Sequence, residues 1–220
     1  MNRGVFITFE GIDGSGKTTQ VERLCARLRE TSHEYICTRE PGGTPIGDAI
    51  RALLLDPESV MTSLTEAYLY AAARAEHVQR VIAPALAAGK IVICDRFVDA
   101  SVVYQGYGSA ADEVTPELVW ALNQPALQGI LPHVTFILDV PVEVAEQRLN
   151  ARSGMGKKDR MEQRNADFFR AVRSGLNQLY EQDQQRMLWL DATGSPETVE
   201  QEIWRIVSQL INGGEGSPCN

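Results

Sequence analysis

Two periods of apolar residues alternate along this chain. Short apolar runs fall at residues 5–9, 35–38, 91–94, 134–138 and 187–190. Runs of this length, polar-flanked and β-branched, predict strands, and the run at 91–94 has no polar position, as expected when both faces of a parallel sheet are covered. Between the runs the spacing becomes helical. Val21, Leu24 and Leu28 make one stripe, with Glu22, Arg23 and Arg27 outside it. Thr44 followed by Pro45 predicts a capped helix start, with Ile46, Ala49, Ile50, Leu53 and Leu54 as its buried stripe and Asp56-Pro57 as its end. Ser63 and Glu66 read as a capping box opening a long helix, with Leu64, Ala67, Tyr68, Ala71 and Ala72 on one side. Pro84 breaks or kinks that helix, and Gly89 closes the segment. Further helices are predicted over 142–149 and 161–182. Ser195-Pro196 starts a last one, burying Val199, Ile203, Ile206 and Leu210.

Strand and helix thus alternate from end to end. The pattern predicts an α/β fold of three layers, a five-stranded parallel sheet between helices, with its ligand at the carboxyl ends of the strands. One domain over 1–212 accounts for every element, with no repeat and no linker, and 213–220 has too little to pack and is expected to be disordered. Gly11, Arg39 and Asp95 each follow a strand directly, so one crevice can collect them.

Composition narrows the partners. In 220 residues the hydrophobic fraction is 44% and the net charge −8, which argues against general binding to nucleic acid or to an anionic membrane. No apolar run reaches the ~18–20 residues of a membrane span, and the apolar start ends at Phe9 without a secretory pattern. Cys25, Cys37, Cys94 and Cys219 form no C-x-x-C pair. That spacing fits a reducing, cytoplasmic setting and offers no metal site.

The chemistry is concentrated after the first strand. Gly11-Ile12-Asp13-Gly14-Ser15-Gly16-Lys17-Thr18-Thr19 contains the pattern G-x-x-x-x-G-K-[ST] between a strand and a helix. The glycines allow a tight turn whose N–H groups face phosphate oxygens, and the following helix adds its positive end. Lys17 brings a cation to the outer phosphates of ATP, and the Thr18 hydroxyl suits Mg²⁺. Asp95 either holds the same Mg²⁺, directly or through water, or caps a turn. Arg39 and Arg96 are candidate forks for a second phosphate, surface ion pairs being the alternative. A basic, glycine-containing segment at about 149–160 reads as a lid over the transferring phosphate, or as a solvated loop. It matters because the phosphate loop carries no arginine of its own. A switch GTPase would show N-K-x-D and a D-x-x-G on the strand, and neither is present.

These stretches, taken with Thr38-Arg39-Glu40-Pro41-Gly42-Gly43-Thr44, Ala72-Ala73-Arg74, Asp95-Arg96-Phe97, Tyr104-Gln105-Gly106 and Asp159-Arg160-Met161-Glu162-Gln163, make most of the chain resemble the bacterial thymidylate kinase family. The resemblance implies transfer of phosphate from ATP to dTMP with Mg²⁺, in a homodimer. It assigns the dTMP sugar to Asp13 and the dTMP phosphate to Arg39 and Arg96, with Arg51 nearby. Pro41 would pack on the nucleoside, and Tyr70, where the family carries phenylalanine, would stack on thymine. Arg74, Ser101 and Gln105 would read the base edge, and Tyr104 would crowd the 2′ position. Arg148 and Arg152 resemble the lid arginines, and Ala192-Thr193-Gly194 would line the adenine side. Two other readings stay open. A deoxynucleoside kinase would use Glu40 as base, and a non-catalytic module would bind ATP without turnover.

Overall fold

The computed structural model describes residues 4–108, 113–152 (Arg152 by its backbone alone) and 159–213. Five strands form where the apolar runs predict them: β1 (Val5–Glu10), β2 (Tyr35–Arg39), β3 (Ile91–Asp95), β4 (Val134–Asp139) and β5 (Met187–Asp191). All pairings are parallel, in the order β2-β3-β1-β4-β5. Strands joined by helical crossovers cannot pair with their sequence neighbours by tight turns, which is why β1 sits in the middle. The register sets the ends level. Phe9 of β1 and Arg39 of β2 both face Asp95 of β3, so the segments that follow these strands emerge together.

Helices cover both faces. After β1 comes α1 (Lys17–Arg29), whose Leu24 and Leu28 pack with Ile7, Phe9 and Phe136. The last helix, α9 (Pro196–Asn212), adds Val199, Ile203 and Val207 to that cluster, and two arginines of α1, Arg23 and Arg27, clamp it through Glu197 and Glu200. On the other face Phe6, Val92 and Cys94 meet Val78, Ile82 and Phe97. Among the described residues no helix is long and apolar enough to cross a membrane.

Several expectations need correction. In α2 (Pro45–Leu55) only Leu54 of the proposed stripe is buried, while Ile46 and Leu53 are 58% and 55% exposed. The helix packs by its edge, and its apolar stripe faces outward. The cap of α3 (Ser63–His77) is Thr62, whose hydroxyl accepts from Thr65 N–H. No capping box forms, because Glu66 turns into the protein. Leu64 and Tyr68 lie exposed, and the buried side of α3 carries Glu66, Arg74 and His77 beside its alanines. Pro84 does not end the helix: α3 widens through a π-helical turn (Val78–Ile82) into α4 (Ala83–Ala87), where Pro84 occupies a first-turn position needing no N–H bond. The segment after Asp95 forms α5 (Val98–Ser101), a π-helical turn (Val102–Tyr107) and α6 (Pro116–Leu127). α7 (Val142–Arg152) follows β4, and the next helix, α8 (Ala166–Gln182), starts late because Asn165 caps it. Cys25 of α1 and Cys37 of β2 are joined as a disulfide. Twelve residues apart, they carry no spacing signal, and only the packing of α1 beside β2 brings them together. The cysteines therefore do not argue for a reducing compartment. The tail from 214 on, predicted to be disordered, lies outside the described residues.

One buried acid ties two strands together at their carboxyl ends. Glu10, the last residue of β1, is fully buried, and its Oε1 accepts from the N–H groups of Phe97 (2.8 Å) and Ala100 (3.2 Å). This holds the start of α5 against β1 just past Arg96, whose φ of 72° lies in the left-handed region and whose own N–H donates to the Phe9 carbonyl at 3.0 Å. Burial, helped by Asp99, raises the Glu10 pKa from 4.5 to about 8. The folded chain thus holds a proton that the unfolded chain releases near pH 4.5. The stability this supplies is full below 4.5 and lost as pH rises through about 8. Urea unfolding of wild type and Glu10→Gln across that window should give diverging curves, wild type losing ground as pH rises. Parallel curves would remove Glu10 as the source.

Candidate active site

The phosphate loop is built as its glycines dictate. Gly14 has φ +86°, and a Cβ there would stand 2.5 Å from the Ala145 carbonyl of α7. A side chain at 14 is excluded by backbone conformation and by neighbour together. Gly16, in the left-handed region, starts α1. Lys17 curls back over the loop, with Nζ donating to the carbonyls of Gly11 (3.0 Å) and Ile12 (2.9 Å). Its burial, with Arg96 close by, lowers its pKa to about 8, against the pull of Asp13 and Asp95. Ile12 itself points into the core. Ser15 Oγ is buried with no hydrogen-bond partner among the described residues, and Thr19 is exposed at the rim. The Thr18 hydroxyl donates to Asp95 Oδ2 at 2.9 Å, so two hard oxygen ligands stand side by side.

Arg96 occupies the centre. Its Nη1 donates to the Gly11 carbonyl (3.1 Å), and its Nη2 donates to Asp13 Oδ1 (2.6 Å) and Tyr104 Oη (3.0 Å). The guanidinium lies 4.7 Å from the centre of the Tyr104 ring. Two cavities meet here. One is lined by Lys17, Thr18, Asp95, Arg39 and Arg148, the other by Pro41, Tyr70, Arg74, Ser101 and Gln105; Asp13, Arg51 and Arg96 line both. Arg51 also donates to the Pro41 carbonyl (3.0 Å), and its pKa is lowered by burial and by the nearby Arg39. Four guanidinium groups, of Arg39, Arg51, Arg96 and Arg148, and the Lys17 ammonium therefore line one space.

The second cavity is lined by rings and by groups locked in a polar core. Arg74, 2% exposed, donates to Glu40 Oε2 (2.7 Å), the Phe97 carbonyl (3.1 Å), Ser101 Oγ (3.0 Å) and Asn123 Oδ1. The other Glu40 oxygen contacts His77 Nδ1 at 3.0 Å. Glu40 is thus held between two partners, one on each carboxylate oxygen. Burial pushes the Tyr70 and Tyr104 phenols up, keeping both neutral.

On the far side of the phosphate loop a groove runs between Gly16, Thr19, Arg148, Ala192, Gly194 and Pro196. Arg148 is fixed there, donating to the Ala192 carbonyl at 2.9 Å. Thr193 turns its hydroxyl to Asp191 (2.7 Å), so the loop meets the groove through its neighbours. The Arg152 side chain and 153–158, most of the predicted lid, lie outside the described residues. Sequence reading missed Asn123, His77 and Glu66 as parts of this site. Glu66 reads as a capping residue, His77 falls outside the predicted stripe, and the helix that carries Asn123 is not among those predicted. A signal existed for His77 and Glu66 alone: both recur three or four residues from Arg74 or Tyr70, on the same helical face.

The sequence model for thymidylate kinase matches residues 9–203. A thymidylate kinase of Halothermothrix orenii is 46% identical over 209 residues, covering 95% of this chain and 99% of that relative. One of Symbiobacterium thermophilum is 47% identical over 208 residues, covering 94% of each. Among solved structures, the thymidylate kinase of Ehrlichia chaffeensis superposes with a TM-score of 0.73 at 33% identity, over 93% of this chain and 99% of that one. With a phosphate loop and an arginine-lined junction opening to a second cavity in one crevice, and this likeness over nearly its full length, the chain belongs to the thymidylate kinase family.

Proposed function

We propose that this chain is one kinase domain whose joined cavities hold ATP and dTMP, and that it transfers the γ-phosphoryl group of ATP to dTMP, giving ADP and dTDP. The observation that carries this is Arg96. A half-buried guanidinium shared by the phosphate-loop cavity and the cavity beside it is what an acceptor phosphate facing a donor phosphate requires. The roles follow from placement. The loop from Gly11 to Thr19 cradles the ATP phosphates, and Lys17 leaves its two carbonyls to meet them. Arg148 and the Ala192–Gly194 turn border the adenine groove. Arg39, Arg51 and Arg96 hold the dTMP phosphate, Asp13 accepts from the sugar hydroxyl, and Pro41 and Tyr70 sandwich the base. Arg74, Ser101 and Gln105 read its edge, and the bulk of Tyr104 disfavours a 2′-hydroxyl. Arg152 is assigned to the transferring phosphoryl group by family resemblance.

The acceptor is already an anion, so the reaction needs position and charge neutralisation but no general base. The engaged Glu40 agrees with that and argues against a nucleoside kinase, while a fully furnished acceptor side argues against a module that only binds ATP. Thr18 and Asp95 fit Mg²⁺, an ion that takes one or two protein oxygens and leaves its other positions to phosphates and water. When bound, Mg²⁺ neutralises charge on the β- and γ-phosphates. We also propose a homodimer. Ile46 and Leu53 of α2, with Leu64 and Tyr68 of α3, form exposed apolar stripes on adjoining helices, a feature monomers rarely leave uncovered. Charged nucleotides do not cross a bilayer unaided, which argues for a cytoplasmic setting.

A coupled ADP assay with ATP, Mg²⁺ and dTMP tests the activity. Lys17→Met should remove nearly all turnover with the fold intact; a folded variant of near-normal activity would sink the assignment. Lys17 also sets a pH dependence. In the free enzyme it loses its charge near pH 8, so kcat/KM for ATP should fall about tenfold per pH unit above that. Bound phosphates favour the charged form, so kcat should persist to higher pH. Coincident profiles for kcat and kcat/KM would contradict this. Finally, Leu53→Glu with Tyr68→Glu should convert a dimer to monomers in sedimentation velocity. An unchanged sedimentation coefficient would place the interface elsewhere.

A further inference from the structure

Glu66 and Gln105 form a pair with no part in phosphoryl transfer itself. Both are almost sealed from solvent, at 5% and 3% exposure. Gln105 Nε2 donates to Glu66 Oε1 at 2.9 Å. The second Glu66 oxygen accepts from Arg160 Nη2 at 2.5 Å, and Arg160 is anchored in turn by donating its Nε to the Leu54 carbonyl at 2.7 Å. A carboxylate paired with a guanidinium offers acceptors only. Gln105 must therefore present its amide nitrogen to Glu66, since the reverse orientation would set oxygen against oxygen. The amide oxygen is left over. Gln105 Oε1 is buried with no hydrogen-bond partner among the described residues, on a side chain that lines the same cavity as Tyr70, Arg74 and Ser101. An orphaned buried carbonyl is unfavourable, and its persistence points to a donor supplied by a ligand.

We propose that Glu66 is a specificity-determining positioning residue. It locks the Gln105 amide so that the base cavity shows an acceptor, and no donor, to the ring nitrogen of the incoming pyrimidine. Thymine carries N3–H and satisfies that acceptor. Cytosine carries a bare N3 lone pair and meets it as a like partner. Arg74, a pure donor, opposes the cytosine amine in the same way at the 4 position. Discrimination by Gln105 therefore depends on a residue that never touches the base. This rests on the reading of the cavity as the dTMP site.

The test measures kcat/KM for dTMP and dCMP on wild type, Glu66→Gln and the exchanged pair Glu66→Gln with Gln105→Glu. Wild type preferring dTMP strongly supports the cavity reading independently; no turnover of dTMP would fail that reading itself. In Glu66→Gln the new amide can donate as well as accept, so Gln105 is free to turn over. The dTMP-to-dCMP ratio should fall by about tenfold or more. In the exchanged pair, the amide now at position 66 donates to the carboxylate now at position 105. The other oxygen of that carboxylate again offers only an acceptor, and the ratio should recover. A merely structural role lowers both substrates together and leaves the ratio alone. With wild type active on dTMP, an unchanged ratio in folded Glu66→Gln overturns the proposal. If that variant does not fold, loss of dTMP preference in the folded exchanged pair overturns it.

Discussion

Buried charge needs a partner, and the whole cleft is arranged around that constraint. Removing a carboxylate or guanidinium from water is expensive unless charges and hydrogen bonds replace the hydration shell. Lys17, Glu10, Glu40, Glu66 and Arg74 are all nearly sealed from solvent at the carboxyl edge of one sheet. Each is placed by what it must bond to. Glu40 is held by Arg74 and His77, Arg74 by Ser101, Asn123 and a main-chain carbonyl, and Glu66 by Arg160 and Gln105. Five buried atoms lack a partner among the described residues: Glu10 Oε2, Ser15 Oγ, Gln20 Oε1, His33 Nδ1 and Gln105 Oε1. Ser15 lies in the phosphate loop, where Lys17 borrows two loop carbonyls, and Gln105 lines the neighbouring cavity, so these are the groups that the proposed substrates would meet.

Such a network is preorganised in the sense that matters for phosphoryl transfer. The arginines at the junction do not have to be gathered when substrate arrives. Arg96 already spans Gly11, Asp13 and Tyr104 from a left-handed backbone position, a conformation unfavourable for a residue with a Cβ and held by its own N–H bond to the Phe9 carbonyl and by the Glu10 contacts that follow it. A reaction that requires no general base gains most from charge stabilisation by groups that need little reorganisation. In the proposed reading the same network would serve selectivity, because a fixed hydrogen-bonding pattern rejects a base of inverted polarity more strongly than apolar contact rejects a missing methyl.

Much of the scaffold was legible in the residues. Apolar runs located all five strands, because a parallel strand covered on both faces has to be apolar along its length. The glycines of the phosphate loop, with Lys17 and Thr18 at fixed offsets, identified the nucleotide site, since that chemistry is local and every member lies within one turn. Arg39 and Asp95 could be placed together because each ends a strand. The helices read less well. Thr62 rather than Ser63 caps α3, Ile46 and Leu53 face outward, and the disulfide joins Cys25 to Cys37 without any spacing to announce it.

Local pattern failed wherever a side chain's partner lies far along the chain. Glu66 has the offset of a capping residue, and although it shares the Tyr70 face of its helix, nothing nearby in the chain points to its partners Gln105, thirty-nine positions on, and Arg160, ninety-four positions on. Arg74 is suited to read a base by its type, but its partners Glu40, Asn123 and Ser101 come from three other segments. The sequence by itself determined the sheet, the phosphate loop and the family, because these rest on short-range periodicity and on motifs of fixed spacing. Only the tertiary structure decided which buried groups satisfy one another and which are left facing the ligand, because hydrogen bonding is set by distances of about 3 Å that chain separation does not encode.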